Sequence, residues 1–202
     1  MNYMILVDPQ IDFFSGKLKN PEAERIMPNM CKAIAEHKGF VIATKDTHFE
    51  RSTSVGGNTV EECIFPEHCI AASYGWNFPE EILGALNKQG SYCGSISKGT
   101  FTALRLPEII REMENMANKF DKSRDMDVVP SFTIIGLVTD ICVISNALLL
   151  RSEFPKSAIT VYADCCAGTT KERHQAALDI MKSCCIRVEN RFDPIIEVLN
   201  HD

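Results

Sequence analysis

The chain is predicted to fold as a three-layer α/β/α domain around a six-stranded, mostly parallel sheet. Three observations carry that reading: short continuous apolar runs bounded by turn residues, stretches with apolar residues at helical spacing, and regular alternation of the two. Tyr3–Val7 reads as a strand buried on both faces and ending at Asp8-Pro9. Ala23, Ile26, Met27, Met30 and Ile34 recur at helical spacing, with Gly39 as a stop signal, and Phe40–Thr44 follows as a second buried strand ending near Asp46. A helix over Pro79–Lys88 leads to a weaker strand at Tyr92–Ser97. The helical pattern then repeats over Pro107–Phe120 through Ile109, Ile110, Met113, Met116 and Phe120. Six charges among the ten residues Asn118–Asp127 mark a solvated loop. Beyond it come a strand at Ser131–Ile135, a helix from about Ile141 to Ser152, a strand at Ala158–Ala163, a helix at Lys171–Ser183 and a short strand at Ile186–Val188. Asp46–Phe78 has no periodicity and reads as a long loop, which in a compact domain is usually functional.

With 202 residues, the chain suits one domain, residues 1–202, and is long enough to rest on a hydrophobic core alone. Its 21 basic and 27 acidic residues give a net charge of −6 with no long basic run, which argues against nucleic acid or an anionic membrane as the main partner. Apolar runs such as Tyr3–Val7 and Ala147–Leu150 are far shorter than the roughly 20 residues a membrane helix needs. No charged-then-apolar leader precedes Tyr3, so a cytoplasmic protein acting on a small molecule is expected. Nine cysteines is an odd number, two pairs are adjacent in sequence, and no C-x-x-C occurs, so free thiols are expected rather than a disulfide framework or zinc ribbon.

In sheets of this kind, ligands bind beyond the carboxyl ends of the strands. The residues there are Asp8, Asp46, His48, Lys98, the turn Gly136–Cys142 and Asp164–Gly168. The turn Gly136-Leu-Val-Thr-Asp-Ile-Cys142 places a thiol in the first turn of a helix, where N–H groups and the macrodipole are expected to lower its pKa. The alternative is a buried packing cysteine. If Asp8 and Lys98 share its edge of the sheet, a carboxylate can take the thiol proton while an ammonium stabilises the thiolate. Asp46-x-His48 with His68 supplies a carboxylate and two imidazoles, a three-ligand set with positions left open for water or substrate; the alternative is solvated loop histidines. His37, His174 and His201 read as structural or solvated.

These residues resemble the isochorismatase-like cysteine hydrolases, and within them the nicotinamidase/pyrazinamidase branch. The resemblance spans nearly the whole chain and rests on Val7-Asp8-Pro-Gln-Ile-Asp-Phe13, Thr44-Lys-Asp46-Thr-His48, Phe65-Pro-Glu-His68-Cys, Ser97-Lys98-Gly-Thr and Gly136-Leu-Val-Thr-Asp-Ile-Cys142. It implies an isochorismatase-like fold with a Rossmann-like strand order and a catalytic triad of Asp8, Lys98 and Cys142. It also implies metal ligands Asp46, His48 and His68, a cis peptide between Leu137 and Val138, and an oxyanion hole formed by the N–H groups of Val138 and Cys142. Phe13 and Phe65 would wall a pocket for a flat heteroaromatic ring. The implied cofactor is a divalent metal, with zinc first and iron or manganese as alternatives. The implied reaction is hydrolysis of nicotinamide to nicotinate and ammonia through a cysteine thioester, a step of pyridine-nucleotide salvage, in a protein that forms a homo-oligomer.

The sequence departs from the family pattern in three places, at Ser54, Phe65 and Gly99–Leu106. Ser54 stands where some members have a further histidine, and Glu61 is a candidate fourth ligand. Phe65 replaces a frequent tryptophan, and Gly99–Leu106 lacks the Asp-Ser-Tyr-Ser-Ala-Phe type of run. A relative acting on another small amide or carbamoyl compound is the nearest rival, and a non-catalytic ligand-binding protein on the same fold is the rival of another class. Asp8-Pro-Gln-Ile-Asp12 contains neither a dinucleotide glycine fingerprint nor a phosphate loop, which argues against nucleotide binding.

Overall fold

The structure, a computed structural model, describes residues 1–50, 59–122 and 129–192. Among these residues, β1 (Asn2–Val7), β2 (Phe40–Asp46), β3 (Tyr92–Lys98), β4 (Ser131–Leu137), β5 (Ile159–Ala167) and β6 (Arg187–Glu189) form one sheet. The strand order is β3-β2-β1-β4-β5-β6, and every neighbouring pair is parallel. This is the expected α/β architecture with the Rossmann-like order.

The period of two along β1 divides the core. Met4 and Leu6 pack on one side with Met30 and Ile34 of α2 (Pro21–Glu36) and with Ile82 and Leu86 of α4 (Glu80–Gln89). Tyr3, Ile5 and Val7 face the other side, against Leu106 and Ile110 of α5 (Leu106–Phe120), Ala147 and Leu150 of α6 (Ile144–Glu153), and Leu178 and Met181 of α7 (Lys171–Ser183). Local chemistry sets the helix ends. The Asn20 side chain accepts the Glu22 N–H while Pro21 opens α2, and Gly90 closes α4 in the left-handed region at φ 79°.

From β1 the chain steps outward to β2 and β3, then returns to place β4 on the opposite side of β1. The carboxyl ends of β1 and β4 therefore flank the switch point, where a crevice opens. Register aligns the ends: Val7 pairs with Gly136, and Asp46 pairs with Lys98. Gly136, at φ 135°, lies so close to β1 that a Cβ there would collide with the Val7 backbone.

The structure corrects three expectations. β5 continues to Ala167 instead of ending at Ala163, because Asp164 is not a strand terminus: its carboxylate accepts the N–H groups of Arg191 and Phe192, and Cys165 and Cys166 beyond it are buried. The long loop after Asp46 contains α3 (Val60–Ile64) and a parallel bridge between His48 and Ile70; α1 (Ile11–Phe14) likewise forms where no element was expected. A π-helical turn, Thr139–Val143, precedes α6, so Cys142 does not lie in an ordinary first α-helical turn. Ser54, His201 and the most charged part of the 118–127 loop lie outside the described residues.

Candidate active site

Asp8 follows β1 with a positive φ of 44°, an uncommon conformation for a non-glycine residue. Its carboxylate is fully buried and held by Thr44 of β2, whose hydroxyl donates to Oδ1 at 2.6 Å. Lys98, the last residue of β3, brings Nζ to 2.8 Å from Asp8 Oδ2 and 3.5 Å from Cys142 Sγ. The three sequence-predicted triad residues therefore meet at the switch point, all nearly excluded from solvent at 0%, 6% and 5% exposure for Asp8, Lys98 and Cys142.

Burial and charge fix the proton inventory of this group. Burial works against the Lys98 ammonium, but Asp8, the Cys142 sulfur and Asp46 outweigh it and raise the pKa above the usual lysine value. Burial raises Asp8, and Lys98 offsets part of that rise. Burial, followed by the charge of Asp8, pushes the Cys142 thiol well above its ordinary value, with Lys98 pulling the other way. The expected lowering of the thiol pKa by a helix terminus is thus reversed in the resting protein. Its sulfur lies between the Asp8 carboxyl that pushes its pKa up and the Lys98 amine that pulls it down.

Beyond β2, the side chains of Asp46, His48, Glu61 and His68 each direct one ligand atom into a cluster, with all four atoms within 4.8 Å of one another. Nε2 of His68 and Nε2 of His48 lie 3.0 and 3.1 Å from Asp46 Oδ2, and Glu61 Oε1 lies 3.7 Å from His48 Nε2. Nδ1 of His68 is 2.8 Å from the Pro66 carbonyl oxygen, which only accepts, so that nitrogen carries the proton and Nε2 presents its lone pair to the carboxylate. Two lone pairs facing each other at this distance fit a cation between them. Three of the six separations in the cluster, at 3.0, 3.1 and 3.7 Å, also suit the roughly 2.0–2.2 Å bonds of a tetrahedral site. The two-nitrogen, two-oxygen donor set therefore fits a divalent metal, and Glu61, the candidate fourth ligand, lies with Asp46, His48 and His68. Burial works against the Asp46 carboxylate, but its contacts with His48 and His68 and the charge of Lys98 outweigh it and hold the carboxyl far below the usual range, whereas burial and Asp46 raise Glu61.

Both clusters open into a cavity of about 400 Å³ lined by Phe13, Phe65, Phe101, His68, Val138 and Cys142, among others. Phe13 and Phe65 each stand edge-on to His68, with centroids 5.9 and 6.3 Å away. The Leu137–Val138 peptide is cis. The Val138 carbonyl accepts the N–H groups of Ile141 and Val143, the neighbours of Cys142.

Several residues that build this site were missed by sequence reasoning. Gln10 is fully buried and clasps the Asp46 backbone from both sides, its Oε1 accepting the Asp46 N–H at 2.7 Å and its Nε2 donating to the Asp46 carbonyl at 2.8 Å. Asp12 accepts the N–H of Cys69 at 2.7 Å, next to His68. Phe101 meets Phe65 at 85° with centroids 6.4 Å apart. His174, read as structural or solvated, lies 2.8 Å from the hydroxyl of the buried Thr139 in the turn that carries Cys142. Asn146, the lone amide between Ile141 and Leu150, was the most readable signal: buried amides need partners.

The fold and its crevice define the class as a doubly wound α/β enzyme. The isochorismatase domain family matches residues 2–191, and the chain belongs to the isochorismatase family of hydrolases. The nicotinamidase/pyrazinamidase of Mycobacterium tuberculosis is 25% identical over 196 residues, covering 93% of this chain and 98% of that one. The pyrazinamidase of Pyrococcus horikoshii, solved in complex with zinc, superposes with a TM-score of 0.71 and 25% identity over 94% of this chain and 98% of that one. The nicotinamidase/pyrazinamidase from Bacillus subtilis gives a TM-score of 0.73 over 94% and 99% of the two chains; at 21% identity it attests the fold. Among the described residues, no helix is long and apolar enough to cross a membrane.

Proposed function

We propose that residues 1–202 act as one hydrolase domain that converts nicotinamide to nicotinate and ammonia through a thioester on Cys142. The observation that carries this reading is the meeting of the Asp8–Lys98–Cys142 group and the four-ligand cluster in one aromatic-walled cavity. Asp8 takes the thiol proton as sulfur attacks the carboxamide carbon, and the N–H groups of Val138 and Cys142 hold the developing oxyanion. Asp8 then gives the proton to departing ammonia. In its base form it takes a proton from the water that attacks the thioester, and nicotinate leaves with the thiol restored. Lys98 stays charged throughout and balances whichever of Asp8 or Cys142 is anionic. Phe13 and Phe65 hold the ring flat. A divalent metal, with zinc as the reading that the Pyrococcus relative supports, would be held by Asp46, His48, Glu61 and His68 and would supply orientation and polarisation of a ring nitrogen.

A second reading keeps the triad and changes the substrate to another small amide or carbamoyl compound; Phe65 in place of a frequent tryptophan and the departure over Gly99–Leu106 favour it. The test is ammonia release from nicotinamide by metal-replete protein, run beside Cys142→Ala. Release by the wild type alone supports the proposal. No release from nicotinamide, with release from other small amides that is lost in Cys142→Ala, selects the second reading.

A further inference from the structure

We propose that Asn146 is a positioning residue that locks the aromatic wall carrying Phe101 to the turn carrying Cys142, and that Phe101 thereby sets selectivity for ring-bearing substrates. The inference rests on the reading of Cys142 as the nucleophile toward an aromatic amide.

Asn146 lies one helical turn beyond Cys142 and is fully buried. Its amide spends every strong hydrogen-bonding group on two segments that are distant in sequence. Nδ2 donates to the Cys142 carbonyl at 2.8 Å and to the Phe101 carbonyl at 3.2 Å, while Oδ1 accepts the Ala103 N–H at 2.9 Å. Ala103 is buried in the core, so its N–H must find an acceptor inside the protein, and Asn146 supplies it.

The connection from Lys98 to α5 needs such a fastening. Among the described residues the Lys98 carbonyl accepts the Thr47 N–H at its start, and beyond that its backbone bonds, from Leu104 N–H to Thr102 O, Leu106 N–H to Ala103 O and Ile109 N–H to Arg105 O, reach no farther than the first turn of α5. Phe101, one of the cavity-lining residues, packs edge-on against Phe65, which in turn stands against His68. A continuous path therefore runs from the nucleophile turn through the Asn146 amide to the Phe101 wall and on to the ligand cluster. A ring resting on that wall is held in register with the sulfur. Because Asn146 contacts backbone atoms and not the thiol, its loss should disturb where the ring sits while sparing the reactivity of the sulfur.

A matched pair of electrophiles separates these effects without requiring turnover. Bromoacetone and 3-(bromoacetyl)pyridine share one reacting group, and in each case Cys142 Sγ displaces bromide while the thiol proton passes to Asp8. Rates at Cys142, followed by peptide mass spectrometry and corrected for intrinsic reactivity with glutathione, give a ring-to-no-ring ratio. The wild type is expected to favour the ring strongly. Asn146→Leu and Phe101→Ala should each lower the ratio about tenfold, within the range that an ångström-scale misplacement brings. The double variant should lose no more than either single one. If Asn146→Leu does not fold, Asn146→Ser is read in its place. A ratio that survives in a folded Asn146 variant, or both rates falling together, overturns the proposal and leaves the amidase reading intact. A wild type with no ring preference overturns the aromatic-amide reading and this proposal with it.

Discussion

Asp46 and Lys98 stand opposite each other on the β2–β3 ladder, and their side chains meet at 3.4 Å. Through this contact, one carboxylate serves two groups: Oδ2 faces the histidines and Oδ1 faces the ammonium that holds Asp8. The Asp8–Lys98–Cys142 group and the Asp46, His48, Glu61 and His68 cluster thus share a wall.

Lys98→Met should abolish turnover and lower stability by about 3–5 kcal/mol, because it leaves the buried Asp8 without its partner and exposes Asp46 to the same loss. Urea unfolding with unchanged m-values checks the stability, and ammonia release checks the activity. A variant as stable as the wild type would show that the ion pair is not the closed, dry contact described.

Asp8→Asn separates proton transfer from thiol acidity. Turnover should fall by roughly 10²–10⁴, the usual worth of a positioned general base. The thiol itself should become more acidic, since the charge of Asp8 raises the Cys142 pKa and Lys98 remains to lower it. The pH at which alkylation of Cys142 is half-maximal should therefore move down in the variant; an upward move contradicts the electrostatics of the site.

Removal of divalent metal by a chelator should slow hydrolysis far more than it lowers the melting temperature, because the ligands project from a sheet edge and its following loops while the core is packed independently. His68→Ala should lose bound metal, measured by elemental analysis, with circular dichroism unchanged. Full metal content in that variant would remove His68 from the ligand set.

Acidification should weaken the nucleophile turn through His174. Burial lowers its pKa below the ordinary 6.5, against the opposing pull of Asp140 and Glu22. A group whose pKa falls on folding supports the fold above its unfolded value and withdraws that support as the pH drops below 6.5 through the lowered value. The melting temperature of the wild type should therefore fall more between pH 7.5 and 5.5 than that of His174→Gln. Parallel curves for the two proteins would show that the Thr139–His174 contact carries no such linkage.

The strand–helix alternation was legible because parallel strands buried on both faces must be continuous apolar runs, and Tyr3–Val7 and Phe40–Thr44 are. Asp8, Asp46 and Lys98 were legible for the same reason: each ends a strand, and strand ends in such sheets share an edge. Asp164 misled, because its sequence position resembles theirs while its carboxylate is consumed by the Arg191 and Phe192 amides, a partnership that only the folded chain creates.

By itself, the sequence determined the period of each element, the residue types at the carboxyl edge and the order of the motifs, since these are local properties of covalent neighbours. The tertiary structure decided the direction in which the acidity of the Cys142 thiol shifts and the fastening of Phe101 by Asn146. Each of these depends on burial or on a hydrogen bond between residues brought together by the sheet. Desolvation and short-range polar contacts act through space, and spacing along the chain does not encode them.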